Sequence, residues 1–131
     1  ASTAATHFDA ETRPDFQILF YPVITMGHAT HQGSKDNLLG KHPSEDLVQL
    51  YSNELQVNEQ TPPAFIMHSR DDKSVPVCNS VNYYTAMVNH GIFASMHLYP
   101  IGGHGWGYNE SFPYKSQWKA EMEKWLHEIN K

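Results

Sequence analysis

The sequence contains a single cysteine, Cys78, so no disulfide can form within the chain and cysteine usage gives no information about the redox compartment. Basic residues are also few: nine Lys and Arg face fourteen Asp and Glu, and the net charge of −5 leaves no basic surface for nucleic acid. No segment reaches the about 20 apolar residues of a membrane span, and Pro22 interrupts the longest apolar run, residues 18–24. We therefore expect neither nucleic acid nor a membrane as a partner.

The remaining composition is that of an ordinary folded domain. Hydrophobic residues make up 40% and charged residues 18% of the 131 residues, which excludes a disordered tail and predicts one domain or part of one. Residues 16–21 and 64–68 are nearly all apolar, as in strands that are covered on both faces. Residues 94–99 alternate apolar and polar side chains, which predicts a strand near the edge of the sheet.

Segments with helical character separate these strands. We predict helices at residues 1–7, 44–55, 75–91 and 118–129. Ser44 is a suitable cap for the second helix, and Gly91 ends the third. The alternation of strands and helices predicts an α/β fold in which helices flank a parallel sheet.

One long segment, residues 23–42, shows no clear helix or strand pattern. About 20 residues is long for a plain connection, so we predict a covering loop with a functional role. Its histidines, His28, His31 and His42, suggest a metal site, but glycines interrupt the segment and no clear third ligand is present. We interpret these histidines as residues that line or cover a pocket, and we predict no metal and no cofactor.

The stretch with the strongest functional signal is residues 99–108, YPIGGHGWGY, which we call the histidine loop. Histidine is a residue type that can move protons in catalysis, and His104 follows the third predicted strand. Loops at the carboxyl ends of parallel strands are where binding residues gather. Trp106 and Tyr108 are predicted as apolar walls beside His104. The alternative is a glycine-rich turn that carries an incidental histidine.

Two carboxylates, Asp71 and Asp72, follow the second predicted strand. A buried carboxylate that bonds a histidine fixes the tautomer of the ring and stabilises its charged form, so either residue is a candidate partner for His104. The alternative is that the acidic residues only cap the next helix. The spacing alone leaves both interpretations open.

Both stretches resemble loops of the α/β-hydrolases. Residues 68–76, HSRDDKSVP, are similar to the family's acid loop, H-G-x-x-D-x-x-V-P, with Ser69 in place of the glycine. Residues 102–107, GGHGWG, resemble the family's histidine segment, and the order of acid before histidine also agrees. The nearest group is that of esterases related to dienelactone hydrolase and prolyl oligopeptidase. Within it, residues 79–80 and 99–106 most resemble bacterial acetyl-xylan and feruloyl esterase-like proteins.

The resemblance implies roles for particular residues. Asp72 takes the position of the triad acid, with Asp71 as the alternative, and His104 is the general base. Candidates for shaping the acyl or sugar pocket are Met26, Trp106 and Tyr108. Arg70 is a candidate contact for a substrate carboxylate or sugar hydroxyl, with a plain surface role as the alternative. Cys78 is interpreted as a small buried apolar residue rather than a nucleophile.

The nucleophile that the family places in G-x-S-x-G is absent from this sequence. Ser34 lies in HQGSK, which lacks the required glycines, and residues 1–8 instead resemble the helix that follows the nucleophile. The resemblance therefore implies that residues 1–131 are a partial domain, the C-terminal part of a hydrolase without its early strands, oxyanion-hole loop and serine. Such a chain is expected to be inactive alone and to associate with its N-terminal half or a second copy.

The function implied for the parent protein is that of a serine carboxylic-ester hydrolase acting on acylated plant polysaccharide such as acetylated xylan. A parent with that substrate is expected to be secreted or periplasmic. Two alternatives remain at this stage. One is a non-catalytic fragment used for binding or assembly, and the other is a peptidase of the same fold.

Overall fold

The computed structural model describes residues 1–131. Its centre is a parallel sheet of three strands, β1 (Gln17–Phe20), β2 (Ala64–Ser69) and β3 (Ala94–Tyr99), in the order β1-β2-β3. The helices are α1 (Ser2–Thr6), α2 (Gln32–Leu39), α3 (Glu45–Tyr51), α4 (Cys78–Asn89) and α5 (Lys115–Ile129), with a short 3₁₀ helix at Asn53–Leu55. No helix combines the length and the apolar character needed to cross a membrane.

The central strand, β2, is buried along its whole length because it has a strand on each side and helices over both faces. Its register aligns Met67 with Phe20 of β1 and Ser69 with Tyr99 of β3. The carboxyl ends of the three strands therefore meet at one edge of the sheet. This register brings the segments that follow β2 and β3 side by side.

The core is divided by the sheet into two clusters, because successive side chains of a strand point to opposite faces. One cluster lies beneath α4 and contains Leu19, Ile24, Val57, Ala64, Ile66, Tyr83 and Met87. The other lies beneath α5 and is largely aromatic, with Phe65, Met67, Tyr99, Trp106, Phe112, Trp118 and Trp125. The predicted α/β architecture, with helices flanking a parallel sheet, is confirmed.

The outer strands differ in how they are covered. β3 is only partly buried over most of its length, as the alternating pattern predicted for an edge strand. β1 is the other edge of this sheet, and Gln17 and Leu19 are buried while Ile18 and Phe20 are half-buried. A hollow beside it is lined by Ala1, Ser2, Ile18, Leu19, Phe20, Pro22 and Val23.

Several predicted boundaries are corrected by the structure. Residues 23–42 are not wholly irregular, because they contain α2, a helix with no buried residue and hence no apolar periodicity to reveal it. The helix predicted over 44–55 ends at Tyr51, because the backbone of the next residue, Ser52, is extended and its Oγ accepts the Met26 N–H at 2.9 Å. α4 begins at Cys78 rather than at residue 75, because the preceding residues bond to Asp72.

Candidate active site

The carboxylate of Asp72 lies in the loop after β2 and is held on both of its oxygens. Oδ1 accepts the backbone N–H groups of Ser74 and Val75, each at 2.9 Å. Oδ2 faces the histidine loop and accepts from Nδ1 of His104 at 2.7 Å. The side chain of Asp72 has no exposed surface, so its position is set by these contacts and not by solvent.

His104 is oriented so that one ring nitrogen is bound and the other is available. An ionised carboxylate only accepts hydrogen bonds, so Nδ1 carries the proton and Nε2 carries the lone pair. The His104 side chain is 36% exposed, which leaves Nε2 accessible to a reacting group. The hydrogen bond expected between Asp72 and His104 is therefore present, with the tautomer that a general base requires.

Opposing effects act on the pKa of the Asp72 carboxyl. Burial by itself raises this pKa, but hydrogen bonds from the Val75 N–H, the His104 ring and the Ser74 N–H outweigh burial and place it below its ordinary value. Asp72 is therefore ionised at neutral pH. A negative charge next to Nδ1 stabilises the imidazolium that forms when His104 takes up a proton.

The neighbouring carboxylate, Asp71, has a different partner. Its Oδ1 accepts the Gly103 N–H at 2.8 Å, and its Oδ2 lies 3.3 Å from the Gly102 N–H. Asp71 thus holds the backbone of the histidine loop while Asp72 holds the ring of His104. Capping of the next helix, the alternative left open by the sequence, is not observed: α4 has Val77 at its N-cap with no side-chain hydrogen bond, and Asp72 instead accepts the N–H groups of Ser74 and Val75 in the turn before it.

Gly102 is required by the shape of the histidine loop. Its φ is +145°, and a Cβ atom at this position would lie 2.6 Å from both the Phe112 ring and the Ser69 Oγ. We expect Gly102→Ala to lower the free energy of unfolding by about 3 kcal/mol, through overpacking and backbone strain. Chemical denaturation of the full-length protein measures this loss.

Gly103→Ala is the matched control for that substitution. The φ of Gly103 is +63°, but nothing lies within 4 Å of a Cβ atom built there, so only backbone strain opposes the change. We expect a loss of about 1 kcal/mol. Equal losses at Gly102 and Gly103 would show that the close approach of Phe112 and Ser69 is not what demands glycine.

Tyr21 is a site residue that the sequence did not indicate. It follows β1, and its ring centroid lies 4.4 Å from that of His104. Its φ of +38° is unusual for a residue other than glycine, and its N–H donates to the Met67 carbonyl at 2.7 Å. Tyr21 differs from the preceding strand residues in its positive φ. Nothing in the apolar sequence of residues 16–21 indicates that angle.

Trp106 and Met26 are both largely buried, although Trp106 also borders a hollow together with His104, and their role toward substrate stays a prediction. Trp106 is 6% exposed, its indole N–H donates to the Ser69 Oγ at 2.8 Å, and its ring stacks on Phe112. Met26 is 4% exposed. Trp106 lies two residues after His104, but its side chain enters the aromatic core while His104 faces outward. Ser69, which departs from the family's glycine, thereby joins the acid loop to the histidine loop.

Tyr108 and Arg70 do remain at the surface. Tyr108 is 61% exposed, its ring lies edge-on against Trp118, and the Lys115 Nζ is 3.9 Å from its centroid. Arg70 is exposed, and its backbone N–H donates to the Tyr99 carbonyl at 2.8 Å. Nothing in the structure connects either side chain to His104, so their roles toward substrate stay predictions.

Of the three histidines in the long segment after β1, His31 has a defined structural role. His31 caps α2, with its Nδ1 accepting the Ser34 N–H at 3.2 Å. The structure brings together no group of three or more His, Cys, Asp or Glu side chains that could hold a metal ion. Cys78 is half-buried at the first turn of α4.

Comparison with known proteins identifies the family. The sequence model of the prolyl oligopeptidase family matches residues 18–131, which include the acid loop and the histidine loop. The chain belongs to the prolyl oligopeptidase family. The predicted resemblance to prolyl oligopeptidase-like hydrolases is thereby confirmed.

Two curated members related to the chain are linked by name to xylan. An acetylxylan esterase of Xylanibacter ruminicola is 41% identical over 134 residues, which cover 98% of this chain and 28% of that protein. Endo-1,4-beta-xylanase B of Butyrivibrio fibrisolvens is 41% identical over 97 residues, covering 74% of this chain and 15% of that protein. The chain thus spans less than a third of the curated relatives it matches.

This chain is also similar to a protein of known structure. The acetyl ester-xyloside bifunctional hydrolase from Caldicellulosiruptor lactoaceticus superposes with a TM-score of 0.95 at 38% identity. The superposition covers 99% of this chain and 52% of that one. The α/β-hydrolase fold class expected from the acid and histidine loops is therefore confirmed.

Proposed function

We propose that the full-length protein is a serine-type carboxylic-ester hydrolase that removes acyl groups from plant polysaccharide such as acetylated xylan. The observation that carries this proposal is the hydrogen bond between the buried Asp72 carboxylate and Nδ1 of the exposed His104. The names of the relatives support the substrate class, since they include an acetylxylan esterase and an acetyl ester-xyloside hydrolase.

The proposed reaction divides ester cleavage into two acyl transfers. A serine hydroxyl attacks the ester carbonyl while Nε2 of His104 takes its proton. The same nitrogen then protonates the leaving sugar alcohol, and an acyl-serine remains. Water attacks this acyl group while His104 takes a proton from it, and His104 then returns that proton to the serine oxygen as the acyl–serine bond breaks and the carboxylic acid leaves. Throughout, Asp72 holds the ring and stabilises its protonated form.

The nucleophilic serine is proposed to belong to a segment outside residues 1–131, since no G-x-S-x-G is present here and the relatives are longer. The outer edge of β1 is a suitable place for that segment to join the sheet. Its backbone groups have no strand partner in residues 1–131, and a hollow lies beside it. Pairing there with another segment, or with a second copy of the chain, would satisfy the backbone groups of β1 and cover the hollow.

The proposal is tested by assaying acetate release from acetylated xylan by the full-length protein. A fluorophosphonate probe, which labels activated serines, is expected to abolish release and to modify one serine outside residues 1–131. The isolated chain of 131 residues is the control and is expected to release no acetate. Labelling of a serine within these residues, or acetate release by the isolated chain, would contradict the proposal.

A peptidase activity is the second candidate, because the family is named for one. The same acid and base would serve amide cleavage, with His104 protonating a leaving amine instead of an alcohol. A prolyl peptide substrate distinguishes the two. Turnover of the peptide with no acetate release from xylan would favour the peptidase, and no turnover of either would favour a binding fragment.

A further inference from the structure

A second histidine bonds to the same oxygen of Asp72 that holds His104. Nε2 of His68 lies 3.1 Å from Oδ2, so that oxygen accepts from two imidazole rings at once. His68 belongs to β2 and has no exposed surface. It therefore cannot touch a substrate, and its influence on a reaction has to pass through Asp72.

The tautomer of His68 follows from its neighbours. Nε2 faces two acceptors, the Asp72 Oδ2 and the Val75 carbonyl at 3.0 Å, so this nitrogen carries the proton. Nδ1 lies 2.7 Å from the Ser80 Oγ and accepts its hydroxyl. The result is a directed chain of hydrogen bonds from Ser80 to His68 to Asp72.

His68 makes this contact as a neutral ring. Burial lowers its pKa, although the Val75 carbonyl and the Asp72 charge act in the opposite direction. A neutral donor neutralises less of the carboxylate's charge than a cation would. No Lys or Arg forms an ion pair with Asp72, so its charge is moderated by hydrogen bonds alone.

We propose that His68, held by Ser80, is a positioning residue that shares Oδ2 of Asp72 and so limits how strongly this carboxylate polarises His104. The proposal rests on the proposed esterase function of the Asp72–His104 pair. The titratable groups facing Asp72 are His68 from β2 and His104 from the histidine loop, and Tyr21 faces His104 from the end of β1.

Removal of the His68 N–H has two consequences for the reaction. Oδ2 gives its full acceptor strength to His104, so the imidazolium is favoured and His104 deprotonates at higher pH. Asp72 also loses one of the contacts that fix its angle, so the ring is less well oriented. The first effect moves the acid limb of the pH profile, the range in which activity rises as His104 loses its proton, to higher pH. The second effect lowers kcat without changing how substrate binds.

The experiment compares His68→Met and His68→Gln in the full-length protein, assayed with an aryl acetate across pH. His68→Met fills the site with an apolar chain and is expected to raise the midpoint of the acid limb of kcat/KM by about 0.5 pH unit. Its kcat should fall about tenfold at unchanged KM. His68→Gln retains an amide donor near Nε2 and is expected to restore the midpoint.

A merely structural histidine would give a different result. Its loss would lower the melting temperature and the yield of active protein, but the acid limb would keep its wild-type midpoint, and that result overturns the proposal. If His68→Met does not fold, the pH profile of Ser80→Ala tests the proposal instead. This substitution removes the hydroxyl that donates to Nδ1 of His68, with little change in packing. A smaller upward shift of the limb supports the proposal, and an unchanged limb overturns it.

These outcomes are separable from failure of the esterase function itself. If the full-length wild type shows no esterase activity, or if His104→Ala leaves activity intact, the proposed function is wrong. If His104→Ala is inactive and the His68 and Ser80 variants all keep the wild-type acid limb, only the positioning role is wrong.

Discussion

His104→Ala in the full-length protein is expected to lower kcat for an acetyl ester by about 10⁴-fold. Without an imidazole at this position, the serine hydroxyl has no base to take its proton and the leaving alcohol has no acid to protonate it. KM should change little, because the ring contacts the reacting atoms rather than the bulk of the substrate. Steady-state kinetics with an aryl acetate and with acetylated xylan measure both quantities.

The fold is expected to survive this substitution. The His104 side chain is 36% exposed, and its contacts are the Asp72 hydrogen bond and the Tyr21 ring. His90→Ala is the control, because His90 is also exposed but lies at the carboxyl end of α4, outside the site. A folded His104→Ala protein with activity within tenfold of wild type would rule out this histidine as the base.

Asp72→Asn is expected to be nearly as damaging, with a loss of about 10³- to 10⁴-fold in kcat. The introduced amide can accept the Ser74 and Val75 N–H groups through its oxygen. Its NH₂ group then replaces Oδ2 and faces the N–H of His104, so two donors meet. The ring has to adopt the other tautomer, in which Nε2 carries a proton and cannot act as base.

Asp71→Asn is the matched control, since it changes the adjacent carboxylate in the same way. Asp71 bonds only backbone N–H groups of the histidine loop, and an amide oxygen retains one of these acceptors. We expect a loss of about threefold to tenfold in kcat. If Asp71→Asn were the more damaging of the two, the acid would be Asp71 and the assignment of Asp72 would be wrong.

The acid stability of the protein provides an independent test of Asp72. Because the folded-state pKa of Asp72 lies below its ordinary value of 3.8, its carboxylate stabilises the fold at pH values above 3.8. That contribution is lost as pH falls through the lower folded-state pKa. Denaturation across this acid range is therefore expected to depend less on pH in Asp72→Asn than in wild type.

The acid loop and the histidine loop were both recognisable in the sequence because, within each loop, the backbone conformation depends on residues only a few positions apart. In the turn before α4, the N–H groups of Ser74 and Val75 need a hydrogen-bond acceptor. Asp72, which precedes them by two and three residues, supplies it. The histidine loop needs residues that tolerate positive φ, and its glycines do. Such local requirements appear as a short pattern, and the resemblance of the two patterns to the α/β-hydrolases implied the hydrogen bond between Asp72 and His104.

Other features left no such pattern. α2 buries none of its residues, so periodicity did not reveal a helix that His31 caps locally. The sequence also gave no sign that the Trp106 ring, only two residues from His104, packs in the aromatic core with Phe112. Proximity along a loop does not determine the direction of a side chain, since a glycine on either side changes the path of the backbone.

The burial patterns of the sequence by themselves determined the strands and the fold class, because such patterns are local properties. The resemblance of two short motifs to the α/β-hydrolases indicated His104 as base and Asp72, with Asp71 as the alternative, as acid. Only the tertiary structure decided which carboxylate faces the ring, that Tyr21 packs on His104, and that His68 shares Oδ2 of Asp72. The His68 contact joins residues four apart, but the contacts of His104 with Asp72 and Tyr21 join segments that follow different strands. The contacts of His104 depend on the parallel register of β1, β2 and β3, which brings three strand ends to one edge and which no single segment of the chain specifies.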